Sequence, residues 1–201
     1  MKNKTTSTIK IVLSGIMIVF VVVGLFWISE ISILKQENDL LKTILYTNSQ
    51  VSEVSTISQK GDDYYSEASF FYENGDYNNV ESSCRLARGY YSDSNQNYRE
   101  ISSELKRSGI EDPLINIYLE SLEILAEIEL NIFEACEHLE SASRYYDKYY
   151  NTDVSYDDSS YEMGTSEIDS MNEKIRLHDQ NVRDYNDLLS DFKIELEKKI
   201  N

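Results

Sequence analysis

The chain has 201 residues with a formal net charge of −17 at pH 7, and it contains only seven glycines and one proline. This acidic balance excludes nucleic-acid binding as a main role, because such binding needs a basic face. Strand-rich folds need many turns, so the scarcity of glycine and proline predicts an all-α protein of long helices.

The first predicted element is an uncharged apolar stretch, residues 11–28, which begins at Ile11 and ends at Ile28. As a helix it would be about 27 Å long, close to the hydrocarbon thickness of a bilayer. A cleaved signal peptide and a retained transmembrane anchor are the two interpretations. The run is long, and Glu30 and Ile31 stand where cleavage needs small residues, so the sequence favours a retained single-pass anchor.

Basic residues predict the orientation of this anchor. Lys2, Lys4 and Lys10 precede it, and the positive side of a span stays in the cytoplasm. Residues 1–10 are therefore expected to form a cytoplasmic tail, with the rest of the chain outside. The part after the anchor holds all 36 acidic and 16 basic residues, a formal charge of −20. Such a charge gives solubility, and it also attracts cations or a basic partner.

Residues 29–50 predict a helical stalk that continues from the anchor. Fewer than three clean heptads are present, so a dimeric coiled coil and a simple monomeric stalk both stay open. The stalk is the predicted route to a homo-oligomer. Its apolar side consists of Ile33, Leu40, Leu41, Ile44 and Leu45.

The remaining residues, 51–201, predict an elongated up-down bundle of four amphipathic helices. Apolar residues recur at alternating spacings of three and four, which is typical of helices that bury one face in a bundle. The second and last helices have the most regular stripes. The predicted helices cover residues 51–73, 76–107, 113–150 and 166–199.

Local signals set the predicted ends of these helices. Gly75 and Gly109 follow two of them, where glycine tolerates the left-handed backbone of a helix end. Asp112 is placed to cap the next helix, and Pro113 fits its first turn. The polar residues 151–165 predict the longest loop.

One family resemblance covers residues 64–92, which are similar to a single tetratricopeptide-type helical hairpin. The resemblance implies two packed antiparallel helices. It covers about 30 residues with no second copy, so it implies no peptide-binding groove and no binding residues. The matching positions are Tyr64, Ala68, Phe71, Gly75, Tyr77 and Ala87, whereas Val80 and Ser92 depart from the pattern.

The two cysteines are candidates for a disulfide. Cys84 and Cys136 are each 26 residues from the turn near residue 110, so an antiparallel hairpin places them at the same height. Both also lie on the buried stripes. An oxidising location outside the cytoplasm favours a bridge, and two separate buried thiols are the alternative.

The acidic loop has part of the ligand rhythm of a calcium-binding loop. Its sixth position is Tyr156, where such a loop needs glycine. Its eighth position is Asp158, where such a loop normally has an apolar residue. The alternative is a solvated turn whose Ser159 and Glu162 start the next helix as a capping box. The oxygen-bearing positions are Asn151, Asp153, Ser155, Asp157, Ser159 and Glu162.

Sixteen tyrosines are present, with four adjacent pairs. Tyrosine suits half-buried helix stripes, which is the commoner cause of such a bias. A surface for a sugar or a partner is the alternative.

No stretch carries a catalytic signature, and the sequence predicts no cofactor. An enzyme would need a pocket in which Glu129, Tyr98 and His178 converge. The sequence therefore predicts a membrane-anchored, non-enzymatic interaction or structural module with a protein partner. The alternative is a sensor or ligand-binding ectodomain that works with a partner chain, because the cytoplasmic tail is too short for a signalling output.

Overall fold

The computed structural model describes residues 3–151 and 158–200, and it describes side chains for residues 35–151 and 158–199. This part of the chain is all-α and contains no strand. Its helices are α1 (Asn3–Glu73), α2 (Tyr77–Arg107), α3 (Pro113–Asn151) and α4 (Asp158–Ile200).

The chain divides into two compact units, Met1–Leu45 and Tyr46–Asn201, and the second contains the helical bundle. Among the side chains that the structure describes, no helix offers an apolar stretch that could cross a membrane. The side chains of residues 11–28 lie outside that set. The transmembrane anchor therefore stays a prediction.

The helix α1 continues through residue 50 without a break, so the predicted stalk and the first bundle helix are one helix. This continuous helix includes Asn48. An asparagine lowers the stability of a helix by only a fraction of a kcal/mol, which tertiary contacts easily offset. Asn48 even makes such a contact, because its Oδ1 accepts a hydrogen bond of 3.1 Å from the Tyr118 hydroxyl of α3.

The predicted turn residues are confirmed. Gly75 and Gly109 have φ angles of 72° and 66°, and they follow α1 and α2. The Asp76 amide donates back to the Phe71 carbonyl at 3.0 Å, which closes the end of α1. At the start of α3, the Leu114 amide donates to Asp112 Oδ1 at 2.9 Å, as expected of a cap.

The predicted length of the loop before α4 is wrong. The helix begins at Asp158, so Gly164 lies inside it. A Cβ at Gly164 would lie 3.0 Å from the ring of Tyr146, which occupies that space. Glycine is present here for a close approach between α3 and α4.

Successive helices run antiparallel. Along α2 and α3, Glu81 pairs with Arg144 at 3.0 Å and Lys106 pairs with Glu123 at 2.7 Å, so residue numbers rise on one helix as they fall on the other. The same order holds for the neighbouring pairs. Contacts that show it are Ser83–Glu67 and Gln50–Glu104 between α1 and α2, and His138–Glu167 and Lys199–Asp112 between α3 and α4.

The core lies mainly between α1, α2 and α3. The stripe predicted for α2 is buried except for the half-buried Tyr77. The apolar stripe of α4, which includes Ile168, Ile175 and Val182, differs from the prediction. Its side chains are only half-buried or exposed. The apolar residues of α4 share one face of the helix, but that face is less completely covered than the face of α2. The central cluster consists of Ala68, Val80, Cys84, Ala87, Tyr91, Ile132, Cys136 and Leu139.

A tyrosine ring lies directly against α1 at the middle of the bundle. A Cβ at Gly61 would lie 2.7 Å from Cε1 of Tyr91. That ring cannot easily shift, because Tyr91 is buried and its hydroxyl donates to Asp62 Oδ1 at 2.9 Å. The position therefore requires glycine for space, although alanine is the better helix former.

Replacing Gly61 with alanine is expected to lower the free energy of unfolding by about 1–3 kcal/mol, because the added methyl group overpacks the Tyr91 contact. Chemical denaturation of the full chain, followed by circular dichroism, measures this change. Gly89→Ala on the exposed side of α2 is the matched control, because nothing lies within 4 Å of its Cβ. The control should gain up to about 1 kcal/mol. Equal effects of the two variants would contradict the packing argument.

Candidate functional site

Six tyrosines meet at the end of the bundle formed by the α1–α2 turn, the last residues of α3 and the first residues of α4. We call this group the tyrosine end. Its rings contact one another with centroids 4.8 to 6.4 Å apart, in stacked, tilted and edge-to-face arrangements. Such geometries are the favourable ones for aromatic pairs. The members are Tyr72, Tyr77, Tyr146, Tyr149, Tyr150 and Tyr161.

The tyrosine end has a buried base and an exposed face. Tyr146 is buried at its centre, and its hydroxyl lies 3.2 Å from Thr165 Oγ1. Tyr150 and Tyr161 are 56% and 45% exposed, which is high for aromatic side chains. The base positions the two exposed rings, because Tyr77 stacks on Tyr150 and Tyr146 packs edge-on against Tyr161.

The hydroxyl groups at the base of the tyrosine end resist ionisation. Burial, followed by the nearby Tyr146 hydroxyl, raises the pKa of Tyr72. Burial also raises the pKa of Tyr77, with further contributions from Tyr150, Tyr146 and Asp147. These rings therefore stay neutral at physiological pH and keep the negative faces that attract cations.

The chain segments that form the tyrosine end are rich in carboxylates. The stretches 72–77, 146–150 and 158–162 contain five acidic residues and one lysine. Among them, Asp147 accepts a hydrogen bond of 2.7 Å from Asn151, and Asp76 accepts one of 2.6 Å from Asn79. The end therefore combines aromatic faces with negative charge.

A second feature is a polar layer inside the bundle, made of Ser58, Ser94 and Glu129 from α1, α2 and α3. Ser58 lies close enough to the Glu129 carboxyl group to favour its ionised form. Ser94 lies between Tyr91 and Tyr98 on one face of α2, and the charge of Glu129 raises the pKa of both tyrosines, although burial is the larger cause. Three helices thus bring polar groups together in an otherwise apolar core.

The polar layer is incompletely hydrogen-bonded. Glu129 is only 3% exposed, and its Oε2 has no hydrogen-bond partner; Ser94 Oγ is also buried without a partner. Burial raises the pKa of Glu129 to about 7; the nearby Ser58 opposes the shift and the charge of Asp62 adds to it. Glu129 can therefore gain or lose a proton near neutral pH.

Two of the three residues named for an enzyme site are shown to be neighbours. Glu129 and Tyr98 are neighbours, as the sequence required. His178 lies on the half-buried side of α4, where its Nδ1 is 3.1 Å from Asp179 Oδ1 on the same helix. The other histidine, His138, has its Nδ1 2.7 Å from Glu167 Oε2 and joins α3 to α4.

A groove of about 460 Å³ lies between α2 and α3 near their connecting turn. Two ion pairs line it, Lys106–Glu123 at 2.7 Å and Arg99–Glu127 at 3.5 Å. Each of these four charges already has a partner of opposite sign, whereas Glu120, which also lines the groove, is in no such pair within the part of the chain that the structure describes.

The structure brings the two cysteines together, as the sequence predicted. Cys84 and Cys136 are both fully buried and belong to one core cluster. The neighbouring Cys84 thiol and burial raise the pKa of the Cys136 thiol, which disfavours the thiolate needed for nucleophilic or metal chemistry. Tyr65 covers the pair from α1, and burial, with smaller contributions from the two thiols, raises its pKa to about 12. Both thiols are unbridged in this structure, so the disulfide stays a prediction.

The calcium-loop candidates lie mostly outside the described residues, which exclude Asp153, Ser155 and Asp157. Asn151 ends α3, and Glu162 is exposed in the first turns of α4. Within the described ranges, no group of three acidic, cysteine or histidine side chains is placed to hold a metal ion.

The chain matches no protein-family model, no curated protein and no solved structure. Its function therefore has to be inferred from its own residues. The sequence reasoning missed the tyrosine end as a unit, although the adjacent tyrosines at positions 145–146 and 149–150 were a visible signal.

Glu129→Gln is expected to remove a pH-dependent loss of stability. The pKa of Glu129 is about 7 in the folded chain, which is higher than the ordinary 4.5. Its contribution to the free energy of unfolding is therefore fully present below pH 4.5 and is lost as pH rises through 7. The loss amounts to about 3 kcal/mol. Denaturation of the full chain between pH 4.5 and 8.5 measures it.

The control for that experiment is Glu127→Gln, an exposed glutamate on the same helix. It should keep the wild-type decline in stability with pH, and Glu129→Gln should flatten it. If both variants decline as steeply as the wild type, then Glu129 does not titrate in the folded state near neutral pH.

Oxidation of Cys84 and Cys136 is expected in protein purified from membranes without reductant. After denaturation, both thiols should alkylate only when a reductant has been added, as read by mass spectrometry. The bridge closes a span of 52 residues and should stabilise the chain by about 4 kcal/mol over its reduced form. Cys84→Ala/Cys136→Ala should be insensitive to reductant. Free alkylation of the unreduced wild type would overturn the expectation.

Proposed function

We propose that this protein is a membrane-anchored, non-enzymatic interaction module, with its helical bundle outside the cytoplasm and the tyrosine end as its docking surface. Residues 11–28 serve as the anchor and residues 1–10 as the cytoplasmic tail. The uncharged apolar run and the three lysines before it support this orientation.

The exposed aromatic face of the tyrosine end is the observation that carries the proposal. Tyr150 and Tyr161 present large ring surfaces to solvent, and Tyr77 and Tyr146 hold them from behind. Tyrosines anchored in this way are typical of interface centres, because a fixed ring loses little conformational entropy on binding.

The stalk supplies a second contact in this proposal, between copies of the chain. Leu41 and Leu45 are one helical turn apart on α1, and both are exposed. Two stalks that pair through such side chains would bury apolar surface and place two bundles side by side.

A second candidate function is a sensor ectodomain that acts through a partner chain. The polar layer favours it, because Glu129 Oε2 and Ser94 Oγ are buried without hydrogen-bond partners. A change of protonation there alters the stability of the helix packing, which a partner in the membrane could read.

The interaction proposal is tested with single introduced cysteines in the full chain on intact cells. Asn151→Cys places a thiol beside the tyrosine end, and Ser92→Cys places one on the exposed side of α2 as the control. The native thiols are buried and do not compete for label. A membrane-impermeant maleimide that carries a photo-crosslinker is attached and then activated by light.

Both positions should be labelled from outside, and only position 151 should crosslink to a partner protein. Labelling that requires broken cells would overturn the external location. Identical crosslinks from both positions, or none from either, would overturn docking at the tyrosine end.

A further inference from the structure

We infer that the tyrosine end binds a lysine- and arginine-rich segment of a partner polypeptide. This inference rests on the proposed function and names the chemistry of the partner. The juxtaposition that supports it is a set of exposed aromatic rings in chain segments that also carry several carboxylates.

The aromatic part of the argument concerns ring faces. Cations bind over the faces of tyrosine rings, and the attraction grows when water is excluded. Tyr150 lies nearly parallel to Tyr77, with an interplanar angle of 12°, and 56% of its surface is exposed to a ligand. Tyr149 packs edge-on against Tyr150 with centroids 4.8 Å apart, so the rings form walls at different angles. Walls of this kind suit a compact cation better than a flat sugar ring, which needs one broad platform.

The chain already uses this type of contact elsewhere. Lys60 Nζ lies 5.9 Å from the ring centroid of Tyr90, and that ring stacks on Tyr64 at 5.7 Å. Arg88 similarly lies 5.8 Å from the ring of Phe133. The stacked pair Tyr64–Tyr90 and the single ring of Phe133 thus each accept a cation over an aromatic ring in this fold.

Charge selects a basic partner over a neutral one. Glu73 and Asp76 flank the α1 side of the tyrosine end, and Asp158 and Glu162 flank its α4 side. The chain as a whole carries −17, so a basic segment is attracted at long range and an acidic one is repelled. A second copy of this chain is a poor occupant, because it brings the same acidic surface.

The probe is a fluorescent synthetic peptide of alternating lysine, arginine and serine, titrated against the full chain in detergent at physiological salt. Peptides of the same length with glutamate in place of the basic residues, or with serine throughout, are the charge controls. Fluorescence anisotropy gives the dissociation constants.

Removing the rings tests the site. Tyr150→Ala/Tyr161→Ala should weaken binding of the basic peptide about tenfold. Tyr150→Phe/Tyr161→Phe keeps the ring faces and should bind within about threefold of wild type. Tyr46→Ala removes an exposed tyrosine of the same unit outside the tyrosine end, and should leave binding unchanged. Circular dichroism checks that each variant keeps its helices.

Several outcomes would overturn the inference. Equal binding by the alanine pair and the wild type would show that charge alone holds the peptide. Binding of the serine peptide as tight as that of the basic one would remove the role of charge. Self-association that the alanine pair abolishes would assign the surface to a second copy. If the basic peptide binds only after residues 152–157 are replaced by glycine and serine, then the surface would be assigned to that segment of the chain and not to a partner.

These results separate the inference from the proposed function. Crosslinking to a partner from position 151 in cells, together with no preference for the basic peptide, would retain the interaction module and reject only the chemistry of its partner. If position 151 gives no crosslink to a partner and the basic peptide is not preferred, then both the proposed function and this inference are rejected.

Discussion

Tyrosine rings packed against helical glycines set the spacing of this bundle. Tyr91 lies on Gly61 between α1 and α2, and Tyr146 lies on Gly164 between α3 and α4. Because the glycines have no side chain, the ring fills the gap and its hydroxyl reaches a polar group, Asp62 or Thr165, near the helix surface. The abundance of tyrosine thus follows from helices that meet across small residues and need a large apolar body with a polar tip.

Much of the fold could be predicted from the sequence because local rules determine it. The stripe of α2 and the turns at Gly75 and Gly109 depend on spacing and backbone freedom, which the sequence shows directly. The extent of the loop before α4 could not be predicted, because polar residues and a glycine are typical of loops, and only the position of Tyr146 shows that Gly164 serves a helix contact. Periodicity also shows which face of α4 is apolar, but the degree of burial depends on how many helices cover that face.

Some of the candidate sites could also be predicted from the sequence, and others could not. The meeting of Cys84 and Cys136 could be predicted because one turn fixes the register of two helices. The tyrosine end could not, because its rings come from four helices whose ends meet only after both hairpins have formed. The raised pKa of Glu129 likewise depends on burial by neighbouring helices, whereas its own sequence neighbours indicate only a polar position in an apolar stripe.

The half-buried face of α4 also affects how the native protein fluctuates. α3 is enclosed along most of its length, but between residues 158 and 199 of α4 no apolar side chain is fully buried. Releasing α4 therefore forfeits less buried surface than releasing any part of α3, so partial opening is expected to begin there. Backbone amides of α4 should exchange their hydrogens with solvent through this local opening, well before those of α3, whose protection approaches that of global unfolding.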